Sequence, residues 1–150
     1  MLVHASAVNW HGRGILIKGE SGSGKSSLAI ALLAQGAHLI ADDQVQLHQE
    51  DGQLFASAPE RLYGLIECRG AGIFHRETPA SPSLLHLEIS LVAQSPRLPE
   101  HPQKARYLEI ELPRFSLVIP DWSLSAKVWL LCQSVSTATQ KAEYHLHAPD

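Results

Sequence analysis

The chain has 150 residues, 45% of them hydrophobic and 18% charged, with a net charge of −3 at pH 7. That length and balance suit a single globular domain with a real core and exclude a disordered chain. No basic surplus points to nucleic acid, and no polybasic patch or apolar run near the roughly 20 residues of a membrane span points to a bilayer.

In chain order, Leu2 to Val8 is apolar and small and reads as a strand, and Trp10 to Gly14 as a turn. Ile15-Leu16-Ile17 is a short continuous apolar run, the pattern of a buried strand. Ser26 to Gln35 reads as a helix with Leu28, Leu32 and Leu33 along one face and Gly36 placed to end it. Leu39-Ile40-Ala41 reads as a second buried strand, stopped by Asp42-Asp43. Val45 to Leu47 and Leu54 to Ala56 flank Glu50-Asp51-Gly52, a hairpin turn signal. Leu62 to Arg69 leads into a second glycine cluster, Gly70-Ala71-Gly72. Thr78 to Ser83 is rich in Pro and Ser and reads as a loop. Leu85 to Val92 reads as a strand, Ser95 to Gln103 as a connection, and Tyr107 to Leu112 and Phe115 to Ile119 as two more strands. A terminal helix is expected from Ser123 to about Val135, which leaves an ordered core of about 2–135 and a weakly patterned tail over 136–150. The expected class is α/β, strand-rich with few helices and fewer than an alternating βαβ chain would carry.

The strongest motif is Gly19-Glu20-Ser21-Gly22-Ser23-Gly24-Lys25-Ser26, which fits G-x-x-x-x-G-K-[ST] at every fixed position. The glycines permit backbone turns that aim successive N–H groups at phosphate oxygens. The helix starting near Lys25 points its positive end at the same anion. Lys25 is placed to reach the β- and γ-phosphates, and the hydroxyl of Ser26 to ligate Mg²⁺. Ser27 continues the loop into the helix. A chance match in a Gly/Ser-rich turn is the bland alternative, but the strand before and the helix after supply the context the motif requires. A nucleoside triphosphate such as ATP, with Mg²⁺, is the expected ligand.

A phosphate loop alone does not choose a reaction. Ligands gather at strand ends in open α/β sheets, and Asp42-Asp43 directly follows a predicted strand. One carboxylate there could hold the metal through water and the other take a proton from an attacking hydroxyl; a polar turn is the competing reading. Glu67-Cys68-Arg69-Gly70-Ala71-Gly72 places an acid and a base beside a glycine bend. Read alone, the segment favours a structural bend over a metal ligand and a phosphate contact.

In the order Gly19–Ser26, then H-L-I-A-D-D-Q-V, then I-E-C-R-G-A-G-I, the chain resembles the catalytic domain of HPr kinase/phosphorylase over roughly residues 3–120. The A-D-D and E-x-R-G-x-G-I segments are much more specific than the phosphate loop, and His4 before the first strand fits as well. The resemblance implies the family's nucleotide-binding fold, similar to that of phosphoenolpyruvate carboxykinase. It implies ATP-dependent phosphorylation of a serine on HPr, a small carrier protein of the sugar phosphotransferase system, and reversal by inorganic phosphate. It implies Lys25 on phosphate, Ser26 and Glu67 as Mg²⁺ ligands, Asp43 as base and reverse acid, and His4 beside the phosphate site; Asp42 is the further metal candidate by its place at the strand end. Arg97, in P-R-L-P-E, matches a family active-site arginine. It implies a homo-oligomer, a hexamer in that family.

The departures are a missing separate N-terminal domain, a short C-terminal part, Cys68 where a β-branched residue is usual, and the less acidic Ile73-Phe74-His75-Arg76. The expected form is the truncated one of some proteobacteria. Met1-Leu2-Val3-His4 has no signal-peptide pattern, and the only cysteines, Cys68 and Cys132, form no CxxC pair, so free thiols in a cytoplasmic protein are expected. None of the nine histidines has metal-ligand spacing. His11, His38, His48, His75, His86 and His101 take structural or solvent roles, as do His145 and His147 in the tail. Trp10, Trp122 and Trp129 read as packing residues, Trp129 with Leu130 and Leu131 alternatively as a subunit contact. Two other functions compete: a small-molecule kinase, disfavoured by the lack of a long helical lid segment, and a nucleotide-sensing module with little turnover. No N-K-x-D segment supports a GTPase.

Overall fold

The computed structural model describes residues 1–79 and 81–135; the predicted tail, with His145 and His147, lies outside the described residues. Within them run β1 (Leu2–His4), β2 (Ser6–Trp10), β3 (Arg13–Gly19), α1 (Lys25–Leu33), β4 (His38–Ala41), β5 (Gln44–Glu50), β6 (Gln53–Ser57), β7 (Leu65–Cys68), β8 (Gly72–His75), β9 (Ser83–Val92), β10 (Gln103–Tyr107), β11 (Ile110–Val118) and α2 (Leu124–Gln133). The strand-rich α/β expectation holds. One large sheet has the order β1-β5-β6-β9-β3-β2-β4, with β11 also against β9 and β10 against β11, while β7 and β8 form a separate ribbon.

Strand alternation divides the core between the two faces of this sheet. Val8, Ile15, Ile17, Leu87 and Ile89 meet Leu28, Ala29 and Leu32 of α1 and Val128 and Cys132 of α2 on one face. Ala5, Ala7, Leu16, Leu47, Leu54 and Leu85 form the other. β3 and β9 run parallel down the middle and read as apolar runs because both faces are covered. Leu28 and Leu32 of the predicted helical face are buried, and Leu33 packs partly against the same cluster. The helix ends at Leu33 with Ala34 as its C-cap, short of the predicted Gln35, and the turn after it closes at Gly36, whose φ of 98° suits a residue without a Cβ.

Several boundaries differ from the sequence reading. β1 and β2 are two strands because the chain turns at Ala5 to pair with different partners, β5 and β3. The turn after β2 is His11-Gly12, both with positive φ, so Arg13 and Gly14 already belong to β3. Gly14 is needed there: a Cβ would lie 2.0 Å from the Leu84 carbonyl oxygen. The predicted strand Tyr107–Leu112 is broken at Leu108-Glu109, with φ of 49° and 68°, a hairpin turn without the usual Gly or Asn. β11 runs through Pro113, on the half that pairs with β10 only. Trp10 is buried, but Trp122 is fully exposed and packs on nothing described, contrary to expectation. Both cysteines are free.

β2 lies between β3 and β4 and is antiparallel to both, with Ser6 opposite Ile17 and Ala7 opposite Ala41. The start of β2 therefore sits beside the ends of β3 and β4. The glycine-rich loop leaves β3, and Asp42-Asp43 leaves β4, so three segments distant in sequence converge at one sheet end.

Candidate functional site

Local chemistry shapes the loop first. Gly22 and Gly24 take φ of 81° and 101°, and the Ser23 N–H donates to the Glu20 carbonyl at 3.0 Å. The loop then passes directly into α1 at Lys25. The Lys25 ammonium is folded over the loop, donating to the carbonyls of Gly19 at 2.8 Å and Glu20 at 3.0 Å. Burial, and next the nearby Lys18 charge, lower its pKa, against the opposing pull of Asp42 and Asp43.

The adjacent acids are divided by their environments. Asp42 is 5% exposed. Its Oδ1 accepts from Ser26 Oγ at 2.8 Å and from Ser6 Oγ at 2.6 Å, and its Oδ2 from the backbone N–H of Glu67 at 3.2 Å. A carboxylate that accepts from three donors is held in one orientation. Since the carboxylate offers no proton, Ser26 donates its own to Asp42, and the lone pairs of its oxygen stay available to a cation. Asp43 takes φ of 70° and is exposed. Its carbonyl accepts from the Ala5 N–H at 3.2 Å, and its Oδ1 lies 3.5 Å from His4 Nδ1.

These groups border a cleft of about 270 Å³ lined by His4, Ser6, Lys25, Ser26, Asp43, Glu67 and Arg69, with Ser21, Gly22, Gly24 and Ser27 from the loop. The expected Gly19, Glu20 and Ser23 act from behind, through backbone contacts to Lys25 and within the loop. Arg97 is not brought to the cleft. It lines a separate hollow with Gln103, Arg114 and Ser116, because the 93–102 connection leaves β9 toward the β10–β11 side. The arginine that does line the cleft is Arg69, at the tip of the β7–β8 ribbon.

Among the described residues, no group of three or more His, Cys, Asp and Glu stands close enough to form a metal cage. The donors present are the Ser26 hydroxyl and the Glu67 and Asp43 carboxylates. Such hard oxygen ligands, few in number, fit Mg²⁺, which keeps waters and takes phosphate oxygens for the rest of its shell. Ser6 was missed by sequence reasoning: a serine between alanines in a strand carries no signal until β2 is known to lie between β3 and β4.

The family model described as the HPr Serine kinase C-terminal domain matches residues 1–123. An HPr kinase/phosphorylase of Geobacillus thermodenitrificans is 41% identical over 129 residues, covering 78% of this chain and 42% of that protein. That of Pediococcus pentosaceus is 34% identical over 129 residues, with 78% and 41% covered. The chain thus spans less than half the length of these relatives. Among solved structures, the Hpr(Ser) kinase/phosphatase from Coxiella burnetii superimposes with a TM-score of 0.75 at 31% identity, covering 89% of this chain and 94% of that one.

Proposed function

The chain belongs to the HPr serine kinase C-terminal domain family, and from that premise we propose that it is an ATP- and Mg²⁺-dependent protein-serine kinase acting on an HPr-type phosphocarrier protein in the bacterial cytoplasm. No described helix is long and apolar enough to cross a membrane. The observation that carries the reading is the different setting of the two acids. Asp42 is buried and fully engaged against Ser26, while Asp43 is exposed in the cleft beside His4. One carboxylate orders the metal-binding hydroxyl, and the other is left for the proton.

In the mechanism we infer, the Gly19–Ser26 loop cradles the β- and γ-phosphates with its N–H groups. Lys25 exchanges its two carbonyl contacts for phosphate oxygens. Ser26 and Glu67 would hold Mg²⁺, with Asp42 acting through Ser26, and the bound ion would supply neutralisation of the charge that develops on the phosphates. Arg69 adds positive charge from the ribbon. A serine hydroxyl of the partner gives its proton to Asp43 as its oxygen bonds to phosphorus and the bond to the ADP oxygen breaks. In the reverse direction inorganic phosphate attacks the phosphoserine, the bond from phosphorus to the serine oxygen breaks as Asp43 returns the proton to that oxygen, and pyrophosphate leaves. The protein's contribution is positioning and charge, as is general for phosphoryl transfer. Self-association belongs to the same proposal, supported by the exposure of two consecutive large apolar residues of α2, Trp129 and Leu130.

The test is incubation with γ-labelled ATP, Mg²⁺ and HPr of the same organism, with Lys25→Ala as control. Label on an HPr serine, absent with the control, is expected. Nucleotide binding without label on a competent HPr overturns the kinase reading in favour of a nucleotide sensor.

A further inference from the structure

We infer that Ser6 is a positioning residue of this site: its hydroxyl sets the orientation of Asp42 and, through Asp42, that of the Ser26 hydroxyl. The inference rests on the nucleotide and metal reading above. Ser6 is 1% exposed yet borders the cleft. Its Oγ donates to the same oxygen of Asp42 as Ser26 does, at 2.6 Å against 2.8 Å. Two hydroxyls from different segments thus grip one carboxylate oxygen, while the Glu67 N–H takes the other at 3.2 Å.

The sheet order explains why this position can do so. The loop follows β3 and the acid pair follows β4, and β2 alone is laddered to both. Ser6 is the first residue of β2, opposite Ile17 of β3. Its backbone is fixed by the strand that carries the loop, and its side chain reaches the acid at the end of β4. Without its hydroxyl, Asp42 keeps Ser26 and the Glu67 N–H but loses its shortest contact. The carboxylate gains rotational freedom, and Ser26 is held less firmly where a cation would meet it. Ser6 stands two hydrogen bonds from the proposed metal-binding hydroxyl, and outer partners that orient a ligand in this way tune metal affinity.

The test is titration of the protein with fluorescent N-methylanthraniloyl-ADP, in Mg²⁺ and in EDTA, for the parent chain and Ser6→Ala, Ser6→Cys and Ser6→Thr. Cysteine keeps the volume and removes the strong donor, and threonine keeps the hydroxyl. The expected result is that alanine and cysteine diminish the tightening caused by Mg²⁺ by about tenfold and leave the affinity in EDTA within about twofold. Threonine restores most of the Mg²⁺ response, and melting temperatures follow no such order. An unchanged Mg²⁺ response in Ser6→Ala and Ser6→Cys, or an equal loss with and without Mg²⁺, overturns the inference. A parent chain that binds no nucleotide overturns the nucleotide reading itself. A parent chain that binds Mg²⁺-nucleotide but labels no HPr overturns only the kinase reading and leaves Ser6 to be judged by its Mg²⁺ response.

Discussion

The imidazole Nδ1 of His4 stands 3.5 Å from the Asp43 carboxylate, with both side chains about half exposed at the mouth of the cleft. His4 is the last residue of β1, two before β2 begins, and Asp43 lies two residues beyond the end of β4; the Ala5 N–H on the Asp43 carbonyl ties the two segments. If Asp43 takes the serine proton, Asp43→Asn lowers phosphoryl transfer by about 10²- to 10⁴-fold. Nucleotide affinity stays close to that of the parent chain. Initial rates of HPr labelling and ADP titration, side by side, check this; a variant that loses nucleotide binding instead removes Asp43 from the chemistry.

Lys25→Ala is expected to weaken nucleotide binding by about 10- to 100-fold, the loss of charge-assisted contacts to phosphate. Burial and Lys18 lower the Lys25 pKa from its ordinary 10.5. The ammonium is needed for phosphate, so affinity falls as pH rises through the lowered value, earlier than for an exposed lysine. Lys18→Met removes the second cause and moves this alkaline limb upward. Calorimetric titration across alkaline pH, with both variants, reads the shift.

How much was visible beforehand depends on how local the cause is. The phosphate loop, the buried β3 run and the helix after it are each written in a few consecutive residues, and the fold class followed from counting such runs. Asp42 and Asp43 were identical as letters. Their separation into a buried and an exposed acid arises from Ser6, Ser26 and the Glu67 N–H, which only the strand order brings together. The Leu108-Glu109 turn was invisible because neither residue type favours positive φ. β8 was missed because its Gly72–His75 run is exposed on all residues and shows no alternation. Arg97 lies on a connection with no ladder to fix it, so its place could not be read from spacing.

Glu88 is a buried acid in the central strand β9, held by the Ser90 hydroxyl at 3.0 Å and by a short hydrogen bond from Tyr107. Tyr107→Phe leaves that acceptor short of a donor and is expected to cost about 1–3 kcal/mol. Burial first, and Glu88 second, raise the Tyr107 pKa above 10.0. A raised native value means the unfolded phenol ionises first. Stability from this group is therefore full below pH 10 and lost as pH rises from there toward the native value. Urea melts at neutral and alkaline pH check both parts, since the phenylalanine variant should lose this alkaline decline.

Gly14→Ala is expected to destabilise the chain by about 1–3 kcal/mol, the usual range for an overpacked core position. The added Cβ would meet the Leu84 carbonyl oxygen at 2.0 Å, where β3 and β9 shift register. One strand must move, and the glycine loop continues from β3. Nucleotide affinity should therefore fall along with the melting temperature. A stable variant with weakened binding, or the reverse, argues against this mechanical link.

The β7–β8 ribbon shares no ladder with the large sheet. Two walls of the cleft, the loop after β3 and the acids after β4, are braced by a common strand and cannot move apart without unzipping it. The third wall, with Glu67 and Arg69, is joined to them at Asp42 by a single hydrogen bond of 3.2 Å and rests on α1 through Ile66. The architecture is that of a vice with one braced and one lightly tethered jaw. If the cleft takes a nucleotide as proposed, any adjustment to its size falls to the lightly tethered jaw.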